Sequence, residues 1–124
     1  MAFSAKIREA TKTLSARERI LIKDTQDAKR LDTLTKEGEV IIDVEYYAIL
    51  DIHNDRATDS PDYTQYVIVD RDGTRYVTGS ESFFSAFKNI YDEMTEEGEE
   101  FAVRAYRLPS KNREGKDFIT CSLE

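Results

Sequence analysis

The chain has 124 residues, 18 Lys and Arg against 25 Asp and Glu, one His, one Cys and a net charge of −7. That length suits one compact domain; the apolar stretches are too short for a transmembrane span, and none follows Lys6 and Arg8 as a secretory signal would require. A lone Cys121 cannot staple the fold and fits a reducing cytoplasm, and one Cys with one His is too few soft ligands for a structural zinc site.

The charge is segregated. Residues 1–37 carry nine basic and six acidic side chains, residues 38–98 four and fourteen, and residues 99–124 five of each. The first segment is therefore net positive and the middle strongly negative. Bulk acidity argues against a chain wrapped in nucleic acid by charge alone, but screening over about 8 Å at physiological salt leaves room for a locally basic groove.

In chain order, Ser4 is placed to cap a short helix running through Thr11, and Ser15-Ala16-Arg17-Glu18 has the spacing of a capping box. Arg19 to Lys23 continues that helix or forms a short strand, since periodicity does not distinguish the two. Residues 1–37 read as an N-terminal extension, either a solvated appendage or a basic arm with Arg17, Arg19, Lys23, Lys29 and Arg30 as its charges. From Glu39 to His53 apolar and polar residues alternate, the pattern of one long, bent strand. Asn54 to Pro61 is a polar loop. Tyr63–Val69 and Thr74–Thr78 form a hairpin across Asp70-Arg71-Asp72-Gly73, because Asp-Gly tolerates the positive φ of a tight turn.

Ser80 opens a helix with Phe83, Phe87, Ile90, Tyr91 and Met94 at helical spacing, ended by Gly98. Phe101–Leu108 and Lys116–Leu123 are the last two strands, joined by the basic loop from Pro109 to Gly115. The order β-β-β-α-β-β over residues 38–124 is that of an OB-fold, a mainly β, five-stranded Greek-key barrel with a helix between its third and fourth strands.

Enzyme signatures are missing: no phosphate loop, no nucleophile elbow and no H-E-x-x-H pair, so no enzyme is expected. His53 between Asp51 and Asp55 reads as a solvated strand end, and Cys121 as a small core residue. Asp70, Asp72, Thr74 and Glu81 have calcium-loop spacing, but the glycine is misplaced and strands flank the turn, so a plain hairpin is the better account.

Tyrosine and basic residues carry the stronger signal. Tyr46, Tyr47, Tyr63, Tyr66, Tyr76 and Tyr106 all fall in strands. In the fourth strand of the barrel Phe101, Val103 and Ala105 face inward, which turns Arg104 and Tyr106 outward together; Arg75 and Tyr76 point to opposite faces. Rings beside cations on a barrel surface suit single-stranded nucleic acid, whose bases stack while its phosphates meet the charges. The candidate binding residues are Tyr47, Tyr66, Arg75, Tyr76, Arg104 and Tyr106, with Lys111, Arg113 and Lys116 from the loop.

The run from Tyr66 to Tyr76, with its D-x-D-G-T-x-Y turn, and the helix Phe84-Ser85-Ala86-Phe87-Lys88-Asn89-Ile90-Tyr91 resemble the small single-stranded DNA-binding proteins of phages that infect Gram-positive bacteria, the phi29 type among them. The resemblance implies a protein that coats template strands during phage replication in the host cytoplasm, without cofactor and with little sequence preference. Its implied partners are single-stranded DNA and other replication proteins; the net-positive N-terminal extension is in addition a candidate for self-association through an acidic neighbour, and no membrane partner is expected. The chain lacks the glycine-rich linker and the phenylalanine-ended acidic tail of the bacterial proteins. The alternative is a phage-encoded interaction module, an inhibitor or adaptor, that meets a basic partner through Asp55, Asp59, Asp62, Asp70, Asp72, Glu93, Glu96 and Glu97.

Overall fold

A computed structural model describes residues 3–54, 61–110 and 116–124. The described chain is mainly β, with elements β1 (Phe3–Ala10), α1 (Ala16–Lys23), β2 (Lys29–Arg30), α2 (Leu31–Glu37), β3 (Val40–Asn54), β4 (Asp62–Asp70), β5 (Arg75–Thr78), α3 (Glu81–Glu96), β6 (Ala102–Pro109) and β7 (Asp117–Leu123). No helix is long and apolar enough to cross a membrane. The chain divides into two compact units, residues 1–29 with 45–79 and residues 30–44 with 80–124, so β3 contributes to both.

In the first unit β5 pairs with β4, β4 with β3, and β1 with the later part of β3. The run from Ser4 to Thr11 is thus no helix; Phe3–Ala10 form β1, antiparallel to β3. The ladder runs from Phe3 opposite Asn54 to Ile7 opposite Leu50, then skips Arg8 and resumes with Glu9 opposite Ile49. This β-bulge reverses the alternation, so that Ala5, Ile7 and Ala10 pack on the core while Arg8 and Glu9 are both exposed. Without the extra residue Glu9 would face the apolar side.

The core on that side is Tyr46, Ala48, Leu50 and Ile52 of β3, Val67 and Val69 of β4, Val77 of β5, and Ile22 of α1. α1 begins with the expected capping box: the Ser15 hydroxyl accepts from the Glu18 amide at 3.2 Å, and the Glu18 carboxylate accepts from the Ser15 amide at 2.9 Å. Lys12 adds a 2.6 Å ion pair to Glu18 and lies 5.0 Å from the centre of the Tyr46 ring. These contacts bring residues 12–22 onto the same unit as β1. Between β4 and β5 the chain turns at Gly73, whose φ of 93° is the left-handed geometry that Asp-Gly supplies.

In the second unit β3 pairs with β6 and β6 with β7, the latter over an unbroken ladder from Val103 opposite Leu123 to Pro109 opposite Asp117. α3 starts at Ser80, whose hydroxyl accepts from the Phe83 amide at 3.2 Å, and stops at Gly98 with φ 70°. Its buried face is Phe83, Phe84 and Phe87; Phe83 stacks on Phe87 at 5.8 Å, and Tyr91 meets Phe101 edge-on at 5.9 Å. Ile42, Val44, Val103, Ala105, Ile119 and Cys121 complete the buried set on the strands. α2 is tied to β6 by Arg107, whose Nε donates to the Thr35 hydroxyl at 3.0 Å and whose Nη2 donates to the Asp32 carbonyl at 2.6 Å.

Candidate nucleic-acid interface

The β3–β6–β7 ladder fixes which side chains share its outer face. Residues directly opposite point the same way, so Ile41, Arg104 and Ser122 lie in one row, Tyr106 and Thr120 in the next, and Leu108 and Phe118 in the third. Inward from the same strands point Val103, Ala105, Ile119 and Cys121, all buried. The parity that turned Arg104 and Tyr106 outward is observed.

Two contacts set their geometry. The Arg104 guanidinium lies over the Tyr106 ring, 5.3 Å from its centre, and the Tyr106 hydroxyl is 2.6 Å from the Ser122 hydroxyl. The ring is held at its tip and layered with a cation on one side. Glu39 lies 3.4 Å from Arg104 Nε, but that buried nitrogen makes no hydrogen bond. Arg104 is therefore balanced in charge but not locked in a fork-to-fork pair. A base can extend this layer, since bases stack on tyrosine rings and on guanidinium planes alike.

Three apolar side chains border the pair and were not singled out by composition or motif. Ile41, Leu108 and Phe118 are exposed, Phe118 at 38%. Phe118 was accessible to parity: with Ile119 and Cys121 inward, it must face outward. Lys116 is exposed just before β7, and the Ser110 amide donates to the Lys116 carbonyl at 2.9 Å, closing the base of the β6–β7 connection. Lys111 and Arg113 lie outside the described residues.

The other candidates are placed differently. Tyr47, Tyr66 and Tyr76 do share one face of the first unit, because Tyr76 sits opposite Ile68 and alternates with the core-facing Val77. That face is buried, however, with these tyrosines 3%, 9% and 8% exposed, so their rings pack and offer no open stacking surface. Burial also holds the Tyr76 hydroxyl above its usual pKa. Strand tyrosine has the same sequence signature in either role.

Arg75 points to the opposite face, as its parity requires, and is consumed there. Its Nη1 donates to the carbonyls of Leu21 and, at 3.0 Å, Asp24, while Nη2 pairs with Asp27 at 3.2 Å. A guanidinium with these three partners and 11% of its side chain exposed ties down α1 and is not presented to a phosphate.

The hairpin acids likewise serve the backbone: Asp70 Oδ1 accepts from the Asp72 amide at 3.1 Å, and Asp72 Oδ1 from the Thr74 amide at 2.9 Å. Among the described residues no group of three His, Cys, Asp or Glu is arranged to hold a metal ion. Comparison with family models, curated proteins and solved structures finds no match for the chain.

Proposed function

We propose that the chain is a single-stranded DNA-binding protein on an OB-type scaffold, coating template strands in phage DNA replication with little sequence preference. The observation that carries this reading is the layered Arg104–Tyr106 pair on the outer face of β6, bordered by exposed Phe118 and followed by Lys116. The scaffold is supported by the pairing itself. β3 pairs with both β4 and β6, β4 with β5, β6 with β7, and α3 sits between β5 and β6. Ring and charge contribute by different physics, which makes the reading testable. Stacking on one ring is worth roughly 1–3 kcal/mol and is nearly independent of salt, whereas each phosphate contact on a single strand adds about 0.7 to the salt slope.

The experiment is fluorescence titration with oligo-dT at two salt concentrations. Tyr106→Ala is expected to weaken binding with the slope unchanged. Changing Lys111, Arg113 and Lys116 together to Ala is expected to weaken binding and flatten the slope. Absence of oligo-dT binding by the unaltered chain at low salt would sink the proposal.

One observation favours the second reading, an acidic docking module. The last turn of α3 carries no basic residue but holds Glu93 and Glu96, with Glu97 as its C-cap, against the helix dipole by about 0.3–1 kcal/mol per charge. A basic protein partner would relieve that repulsion. Under this reading Glu96→Gln with Glu97→Gln stabilises the free chain and abolishes partner capture, leaving oligo-dT without effect.

A further inference from the structure

The most exposed large apolar side chain among the described residues is Ile20, at 68%, and its neighbour Leu21 is 50% exposed. Both lie on α1, while Ile22 turns into the core of the first unit. Arg17 stands three residues before Ile20 and Lys23 three after, so helical spacing puts a cation on either side of the apolar pair. Both cations are exposed, and neither makes an ion pair among the described residues. Over residues 12–24, Lys12, Arg17, Arg19 and Lys23 outnumber Glu18 and Asp24 by two, and Glu18 is already paired with Lys12. The face is therefore apolar at its centre and net positive around it.

The chain carries the complement of this face at the end of α3. From Lys88 to Glu100 there are one basic and six acidic side chains, and Lys88 is taken by Asp92 at 2.7 Å. Glu93, Glu96, Glu97 and Glu99 are exposed and have no ion pair among the described residues. Ile90 and Met94, one turn apart, are half-buried, and Glu93 and Glu97 each follow one of them by three residues. Acids and partly open apolar side chains thus share one side of the helix. Cations brought there also meet the negative end of the helix dipole, which no basic residue of the last turn offsets. α1 has no ring on which a base could stack, so its exposed aliphatic pair favours a protein surface over a nucleic acid.

We propose that the Ile20–Leu21 face of α1 docks on the acidic end of α3 in a second copy of this chain, with Arg17 and Lys23 meeting Glu93 and Glu97. Charge complementarity selects the partner and burial of the aliphatic side chains holds it. The two surfaces are unlike and every copy carries one of each, so the contact is head-to-tail and adds copies in a row or a ring. It uses the acidic end on which the docking reading rests, but its occupant is this chain itself, and its readout needs neither DNA nor another protein.

The test is sedimentation velocity of the full chain over a concentration series at low and high salt. The average mass is expected to rise with concentration at low salt and less steeply at high salt, because the charged part of the contact is screened. Arg17→Glu with Lys23→Glu, and separately Glu93→Lys with Glu97→Lys, are each expected to lose that rise. Mixing the two variants is expected to restore it, since the reversed α1 of one then meets the reversed α3 of the other; a misfolded variant would not be rescued. Ile20→Ser is expected to weaken association by about 10-fold, the lower end of what burying one such side chain is worth. A chain that stays monomeric at low salt, or charge variants that associate as the unaltered chain does, would overturn the proposal. Unchanged mass together with a flattened oligo-dT salt slope in the α1 variant would assign the face to nucleic acid instead.

Discussion

Arg75 closes the C-terminal end of α1 by donating from Nη1 to the Asp24 carbonyl at 3.0 Å. The last carbonyls of a helix lack amide partners and carry partial negative charge, so a guanidinium there satisfies both needs at once. Hydrogen bonds to a charged group contribute roughly 1.5–3 kcal/mol each, and these are shielded. Arg75→Ala is expected to destabilise the chain by about 2 kcal/mol in urea unfolding while leaving the salt slope of oligo-dT binding unaltered. Arg75→Lys restores only part of that loss, because an ammonium does not reproduce the planar fork. A flattened slope with unchanged stability would return Arg75 to the binding surface.

The aromatic face of α3 anchors the second unit. Phe87 is fully buried, stacked on Phe83 and 5.9 Å from Tyr91. Phe87→Ala removes a whole ring from a close-packed site and is expected to cost about 3–5 kcal/mol, with Phe87→Leu costing much less. Chemical denaturation followed by tyrosine fluorescence reads both. A loss under 1 kcal/mol for Phe87→Ala would mean that α3 is not anchored through this ring.

The α1 cap is sensitive to acid. Hydrogen bonds from Lys12 first, then from the Ser15 backbone, bring the Glu18 carboxyl from 4.5 down to about 2. A folded-state pKa below the unfolded one means stabilisation that is complete above about pH 4.5 and is lost as pH falls toward 2. The group is exposed, so the effect is modest and weakens with salt. Amide signals of residues 15–18 are expected to shift across that window, and Glu18→Gln to remove the shift. Titration of Glu18 near 4.5 would show that the cap is open in solution.

Burial pushes the Cys121 thiol up to about 12. Only the thiolate is nucleophilic, so at pH 8 the native chain is expected to resist iodoacetamide and to react after unfolding. Rapid labelling without loss of structure would place Cys121 at an open surface.

Much of this architecture was legible beforehand for identifiable reasons. The Asp70–Gly73 turn and the α3 phenylalanines carry local chemistry that packing reinforces, and the parity of β6 followed from Phe101, Val103 and Ala105. The sequence of β1 reads as helix because the bulge at Arg8 interrupts alternation after Ile7, so that Ala5, Ile7 and Ala10 lack a period of two. α2 carried little signal: it spans seven residues, and Arg30 at its start makes no side-chain cap. The tyrosines of β3, β4 and β5 show where sequence runs out. Alternation says which rings share a face, but not whether that face is covered, and β3 is buried on both sides from Tyr46 to Leu50.

The skipped residue in β1 also sets where the chain can change length. Deleting Arg8 leaves Ile7 opposite Leu50 and Ala10 opposite Ala48, so every later side chain keeps its side of the sheet. The β6–β7 ladder has no such slack, and losing Thr120 would turn the rest of β7 inside out. A chain lacking Arg8 is therefore expected to melt cooperatively, minus one ion pair, and a chain lacking Thr120 is not. Point deletions at these two sites separate a strand that merely continues from one whose reading frame its partner enforces.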